Sequence, residues 1–177
     1  MNRRPALLAA LCIAAAVAQV ACTPTLDWRE VRPAGSQLHL LFPCKPSAQE
    51  RRVPLAGQAV RLVLHTCSAG GWTWGLAVAD VADPARVAAA MADFGAAAAA
   101  NIGAVQPRSA PTAVPGATPS PGAQRWRLQG RLPDGQAIGM QLVVFSHGTR
   151  VFQATALGPG LTDEAADIFF SALRIQP

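Results

Sequence analysis

Between Gln124 and Leu132 apolar and polar side chains alternate: Trp126, Leu128 and Leu132 fall on one face, and Arg125, Arg127, Gln129 and Arg131 on the other. Only an extended chain repeats every two residues, so this stretch reads as a strand with one buried face and one solvent face. Pro133-Asp134-Gly135 follows. Proline presets φ and glycine accepts positive φ, so the chain turns back on itself. Gln136 to Ser146 is then the return strand, His147-Gly148-Thr149 a second turn, and Arg150 to Leu157 a third strand. A chain with this meander must build an antiparallel sheet and cover its apolar face.

The preceding half repeats the theme. Trp28 to Val31 reads as a small strand, and Gln37 to Phe42 as a better one, with Leu38, Leu40 and Phe42 alternating against Gln37 and His39. Pro43-Cys44-Lys45-Pro46 stops it, because proline cannot donate to a ladder. Gln49 to Pro54 reads as a strand, Leu55 to Gln58 as a turn, and Val60 to Cys67 as a strand with Val60, Leu62 and Leu64 on one face. Ala69-Gly70-Gly71 is a hairpin signal. Trp72 to Asp80 places Trp72, Trp74, Leu76 and Val78 on one face, and small Thr73, Gly75, Ala77 and Ala79 on the other, leaving room for another element to pack closely.

Two helices interrupt the strands. Asp83-Pro84 opens the first, with an N-cap acid and a first-turn proline. Val87, Met91, Phe94, Ala98 and Ile102 then recur at helical spacing as far as Gly103. Residues 105–123, rich in Pro, Ala, Ser and Thr, read as a surface loop. Thr162 caps a final helix whose first-turn Asp163 and Glu164 suit its positive end, with Phe169, Ala172 and Leu173 on its buried side.

At the N-terminus, Met1-Asn2-Arg3-Arg4 precedes an apolar run of 13 residues, Ala6 to Ala18. A spanning helix needs ~20 apolar residues, so this is a signal-peptide core. It ends in Gln19-Val20-Ala21-Cys22, which looks like a bacterial lipobox: small Val20 and Ala21 admit the peptidase, and the Cys22 thiol accepts diacylglycerol. Gln19 stands where such motifs carry an aliphatic residue, and cleavage after Ala16-Val17-Ala18 is the alternative, giving a soluble periplasmic or secreted protein. Thr23, rather than an aspartate, follows the cysteine, which by resemblance to sorted lipoproteins implies the outer membrane, with the protein facing the periplasm. Acyl chains such as palmitate contribute ~0.8 kcal/mol per buried methylene, so three of them anchor the chain durably.

Cysteine arithmetic favours the anchor. Of four cysteines, Cys12 leaves with the signal peptide and Cys22 is consumed by lipid, so Cys44 and Cys67 remain as an even pair in an oxidising compartment. A disulfide closing that loop is worth roughly 3.5 kcal/mol in the chain-entropy model. Losing Arg3 and Arg4 lowers the formal charge from +5 to +3, too mild to suggest nucleic acid. The chain has 177 residues, 51% of them apolar and 14% charged, with 37 alanines, 14 arginines and one lysine. That excludes predominant disorder, a multi-span membrane protein and a large multidomain enzyme. The plan is a signal peptide at 1–21, a lipid-anchored tether at 22–36, and a single domain at 37–177.

The fold class is α+β, a largely antiparallel sheet with helices packed on it. With Leu41-Phe42-Pro43-Cys44-Lys45-Pro46 and Phe169-Phe170-Ser171-Ala172-Leu173-Arg174-Ile175, the layout resembles the PsbP-like α/β/α sandwich, and most of all the proteobacterial envelope members of that group. The resemblance covers residues 37–176. It implies a non-enzymatic accessory or assembly role, often on a larger complex, and offers no catalytic residues to carry over.

Sites of chemistry are few. The chain has no phosphate-cradling loop, G-x-S-x-G elbow, H-E-x-x-H or C-x-x-C. Arg125, Arg127 and Arg131 line up as a stripe for anionic lipid or an acidic partner, set against a plain solvated face or edge protection. His65, Trp72 and Trp74 are candidates for a ligand cleft, although aromatic residues at period two also build cores. His65 beside Cys67 suggests a soft metal, which a disulfide would preclude by consuming the thiol. No catalytic residue, metal or cofactor is expected. The expected function is a non-enzymatic envelope lipoprotein that binds or assembles with a protein partner. The alternative is a periplasmic protein that binds a small ligand or metal.

Overall fold

The computed structural model describes residues 25–176. The signal peptide, the lipobox and Cys22 lie outside the described residues. Ten strands and two helices follow in chain order: β1 (Arg29–Val31), β2 (Leu38–Phe42), β3 (Ser47–Leu55), β4 (Gln58–Ala69), β5 (Trp72–Asp80), α1 (Val87–Asn101), β6 (Arg108–Pro111), β7 (Gln124–Arg131), β8 (Ala137–His147), β9 (Arg150–Gly158), α2 (Asp163–Ser171) and β10 (Arg174–Ile175). The fold is α+β, as the alternating patterns predict.

β3-β4-β5-β9-β8-β7-β6 form one seven-stranded sheet, antiparallel throughout. β1-β2-β10 form a second, three-stranded antiparallel sheet. The central strands of the large sheet are buried on both faces, and their alternation sorts side chains between two cores, while the edge strands β3 and β6 are largely exposed. Trp74, Leu76, Phe145 and Phe152 face β2 and α2, whose Leu38, Leu40, Phe42 and Phe169 are fully buried. Leu62, Ala77, Leu128 and Met140 face α1, which contributes Met91, Phe94 and Ala98. The result is three layers: α1, the large sheet, and a mixed layer of α2 with the small sheet.

The helix ends form as their sequences dictate. Asp83 accepts a hydrogen bond from the Ala85 N–H at 2.9 Å and opens a short 3-10 turn, Pro84–Arg86, that feeds α1. Gly103, at φ 53°, ends the helix in the left-handed region that favours glycine. Thr162 caps α2 through the Ala165 N–H at 3.5 Å.

Three boundaries differ from the sequence reading. The folded domain begins before residue 37: Trp28 packs edge-on against Trp74 at 5.9 Å, and β1 pairs with β2, so the segment read as a tether belongs in part to the core. The Pro-rich stretch 105–123 contains β6, paired with Arg125 and its neighbours on β7. The two-residue β10 closes the small sheet against His39 and Leu38. Segments this short carry no periodicity of their own and exist because a partner strand supplies the hydrogen bonds.

Candidate functional site

α1 is fastened to the large sheet near both of its ends. At its first turns, Asp93 Oδ2 accepts the Ala56 N–H at 2.7 Å, while the Arg86 guanidinium donates to the Ala56 carbonyl at 2.9 Å. Both bonds grip the β3–β4 turn, where Ala56 sits at φ 51°. At its far end, the Ile102 carbonyl accepts the Arg131 N–H at 2.9 Å, and Gly95 lies on the Trp126 ring. A Cβ at Gly95 would approach that ring to 2.8 Å, so only glycine lets the helix sit this close to β7.

α1 packs chiefly on β8 and β9 and leaves a strip along β4, β5 and β9 beside it less fully covered. A groove of about 580 Å³ lies there. Its floor includes Leu62 and Leu64 of β4, Gly75 and Ala77 of β5 and Leu157 of β9, and its helical wall is Phe94, Ala97 and Ala98. Native interiors are close-packed, so small residues on two facing surfaces normally draw them together. Here helix and sheet meet where Ala77, Ala79, Met91, Phe94 and Ala98 are buried in one core, and beyond that contact the small residues of β5 and the exposed alanines of α1 leave a groove between them. The face of β5 read as inviting close packing is therefore covered at Ala77 and Ala79, and from Ala77 to Thr73 it is the floor of the groove.

The groove is nearly free of charge. Asp93 is the only ionisable residue in its lining, and its carboxylate already accepts the Ala56 N–H. The other polar groups are the uncharged Thr66, Thr73, Asn101, Gln153 and Thr155, with Gln153 donating to the Thr155 hydroxyl at 3.3 Å. Ala88, Ala89, Ala92, Ala96, Ala97 and Ala100 are exposed on α1, so the outer surface of the helix beside the groove is also largely uncharged.

The arginine stripe is divided. Arg125 and Arg127 do lie on the face opposite Trp126 and Leu128, and the acids of α2 reach both, although only Arg125 is largely covered while Arg127 stays exposed. Arg125 pairs with Asp167 at 2.6 Å, donates to Gln141 at 2.7 Å and stacks its guanidinium over Phe170 at 5.0 Å. Arg127 reaches Asp163 at 3.3 Å, and Gln141 donates to the same carboxylate at 2.8 Å. These two bonds, Gln141 first, hold the Asp163 carboxyl below the usual aspartate range. Arg131 stands apart, exposed and donating to the Gly135 carbonyl in its own hairpin at 2.9 Å. Two of the three cations are therefore neutralised within the chain and act as a clamp for α2. Beside this clamp is a second, shallower groove of about 880 Å³, lined by Val114, Arg125, Asp167 and the exposed Ile168.

His65, Trp72 and Trp74 share the opposite face of the sheet from the α1 groove; Trp74 is core, Trp72 packs against it partly buried, and His65 is only half-buried. Trp74 is fully buried among Trp28, Trp72 and Phe169, and its indole N–H donates to the Ala69 carbonyl at 3.3 Å. The Trp72 N–H is bonded to the Pro159 carbonyl at 2.9 Å. His65 is half-buried opposite Leu76 and Ala48, and burial pushes its pKa below the usual imidazole value. His39, suggested only by its place in β2, is buried and within 3.0 Å of Glu30. Its burial could not be read from alternation, which assigns His39 to the face opposite the core-facing Leu38 and Leu40.

Cys44 and Cys67 lie at disulfide distance, with Cα atoms 6.0 Å apart. The bond ties the loop after β2 to β4, and so the small sheet to the large one. Among the described residues no three His, Cys, Asp or Glu side chains gather as a metal-binding group. No helix of the described residues is long and apolar enough to cross a membrane. Neither a scan against protein-family models nor a search of curated proteins finds a match for this chain.

Proposed function

We propose that this chain is a non-enzymatic binding protein of the bacterial envelope, tethered to the outer membrane through an acylated Cys22, that holds an apolar small molecule between α1 and the large sheet. The observation that carries the reading is the groove beside α1, which is apolar and nearly uncharged. Its volume of about 580 Å³ falls in the roughly 300–1,000 Å³ range of small-molecule sites. The PsbP-like resemblance agrees with a binding rather than catalytic role.

A second reading, an assembly module for a protein partner, is favoured by one feature. Ile168 is 43% exposed on α2, beside the shallow groove that Arg125 and Asp167 line. An exposed large apolar side chain at a concave, mixed-charge surface suits a partner's side chain better than a small ligand.

The test is the mass of the full chain extracted from its host's membranes, measured native and denatured, with and without reductant. The binding-protein reading expects acyl mass on a chain beginning at Cys22, a gain of two hydrogens on reduction, and a small apolar adduct in the native spectrum. An unacylated chain in the soluble fraction would overturn the anchor. A native mass without adduct, from a chain that co-purifies stoichiometrically with one protein, would favour the assembly module instead.

A further inference from the structure

We infer that the groove beside α1 takes one acyl chain of a membrane phospholipid, drawn from the same leaflet that holds the Cys22 anchor. This deepens the proposed function and rests on its reading of Cys22.

The chemistry of the lining selects hydrocarbon. Leu62, Leu64, Ala77, Phe94 and Leu157 offer apolar surface, and the one carboxylate, Asp93, is committed to the Ala56 amide. A ligand that carried its charge into the groove would meet no counter-charge there, which makes desolvating it costly. The floor runs along β4 from Leu62 to Thr66 and along β5 from Ala77 to Thr73, about 13 Å at ~3.3 Å per residue. An elongated, uncharged trough fits an extended chain better than a compact ring system.

The position of the mouth identifies the source. Thr66 and Thr73 line the end of the groove nearest the β4–β5 turn. At that turn Leu26 and Thr25 pack against Gly70, at 3.1 and 3.8 Å from where its Cβ would stand. The chain therefore enters the domain at the end where the groove carries its threonines. Cys22 is three residues before Thr25, a reach of at most about 11 Å. An acylated Cys22 would hold this end of the domain close to the bilayer surface.

A cation stands at the same end. Lys45, the only lysine of the chain, is exposed and has no ion-pair partner among the described residues. It lies two residues before Ser47, whose partner in the β3–β4 ladder is Thr66. Lys45 does not line the groove; as an exposed cation at this end of the domain it suits the negative surface of a bilayer. A free fatty acid in solution has no comparable reason to meet the mouth.

The experiment uses the full chain purified from host membranes, with native mass spectrometry and lipid analysis of the organic extract. Gly75→Leu is the principal variant. A Cβ at Gly75 meets only the His65 carbonyl and Thr66 Cγ2, both at 3.8 Å, so a side chain is accommodated there and projects from the groove floor. Ala97→Leu, on the exposed helical wall, is the second variant and does not depend on the strand tolerating a larger residue. Ile168→Ser, at the shallow groove by α2, is the control.

One phospholipid per chain, retained in Ile168→Ser and reduced at least tenfold in Gly75→Leu and Ala97→Leu, is the expected result. Equal lipid in all forms would place the lipid elsewhere and overturn the inference. Free fatty acid alone would overturn its membrane source. An acylated Cys22 with no lipid adduct would overturn the inference and leave the anchor standing, whereas an unacylated soluble chain would remove the functional reading beneath it.

Discussion

Replacing both Cys44 and Cys67 by alanine tests how the two sheets are held together. The cysteines are 23 residues apart in sequence, and closing a loop of that size restricts the unfolded chain by roughly 3.5 kcal/mol in the chain-entropy model. The described domain spans residues 25–176, a size at which each kcal/mol moves the melting temperature by about 2–4 °C. The double variant should therefore melt about 7–14 °C lower, and reductant should lower the wild type by a similar amount while leaving the variant unmoved. The structure also says where the loss falls. The bond joins the loop after β2 to β4, while α1 is held separately by Asp93, Arg86 and Ile102. Hydrogen exchange measured on both proteins should quicken in β1, β2 and β10 before it quickens in α1. A shift below about 1 kcal/mol, or exchange that rises first in α1, would refute the view that the disulfide couples the small sheet to the large one.

Two further outcomes follow from other contacts. Gly95→Ala should destabilise by about 1–3 kcal/mol through overpacking against Trp126, against the roughly 1 kcal/mol gain that alanine brings to an unobstructed helix; urea unfolding decides the sign, and a gain would show that α1 is not seated on the ring. Asp163 has a folded pKa below its ordinary value, through Gln141 first and Arg127 second, so its stabilising share is present above the unfolded pKa near 4 and is lost as pH falls through the folded value. Asp163→Asn should flatten the stability profile over that acidic window, and an unchanged acid limb would dismiss the α2 clamp as a contributor.

Much of the large sheet is legible in the sequence because strand periodicity is local. The alternations at Leu38–Phe42, Val60–Leu64 and Trp72–Val78 each sort the large apolar side chains onto one face, although in β2 and β5 the other face is covered too, and Pro133-Asp134-Gly135 marks its hairpin. The caps at Asp83 and Thr162 are equally local, since each bond closes within three residues. The candidate site is only half legible. The small side chains of Thr73, Gly75 and Ala77 show in the pattern, but whether a neighbour fills the space they leave does not.

The sequence by itself therefore determines which residues are extended, which are helical, and which face of each is apolar, because those preferences act over one or two turns of chain. Tertiary structure alone decides what meets each face. It sets Asp163 and Asp167 beside the arginines of β7, turning two members of the stripe into partners of α2 at the domain surface. It buries Trp74 beneath Trp28 and Phe169 instead of opening a cleft there. It also seats α1 on Gly95 and Trp126 at one corner and on the Ala56 turn at the other, leaving the groove between. These outcomes join residues tens of positions apart, and no local preference of the chain encodes the direction in which a helix leans across a sheet.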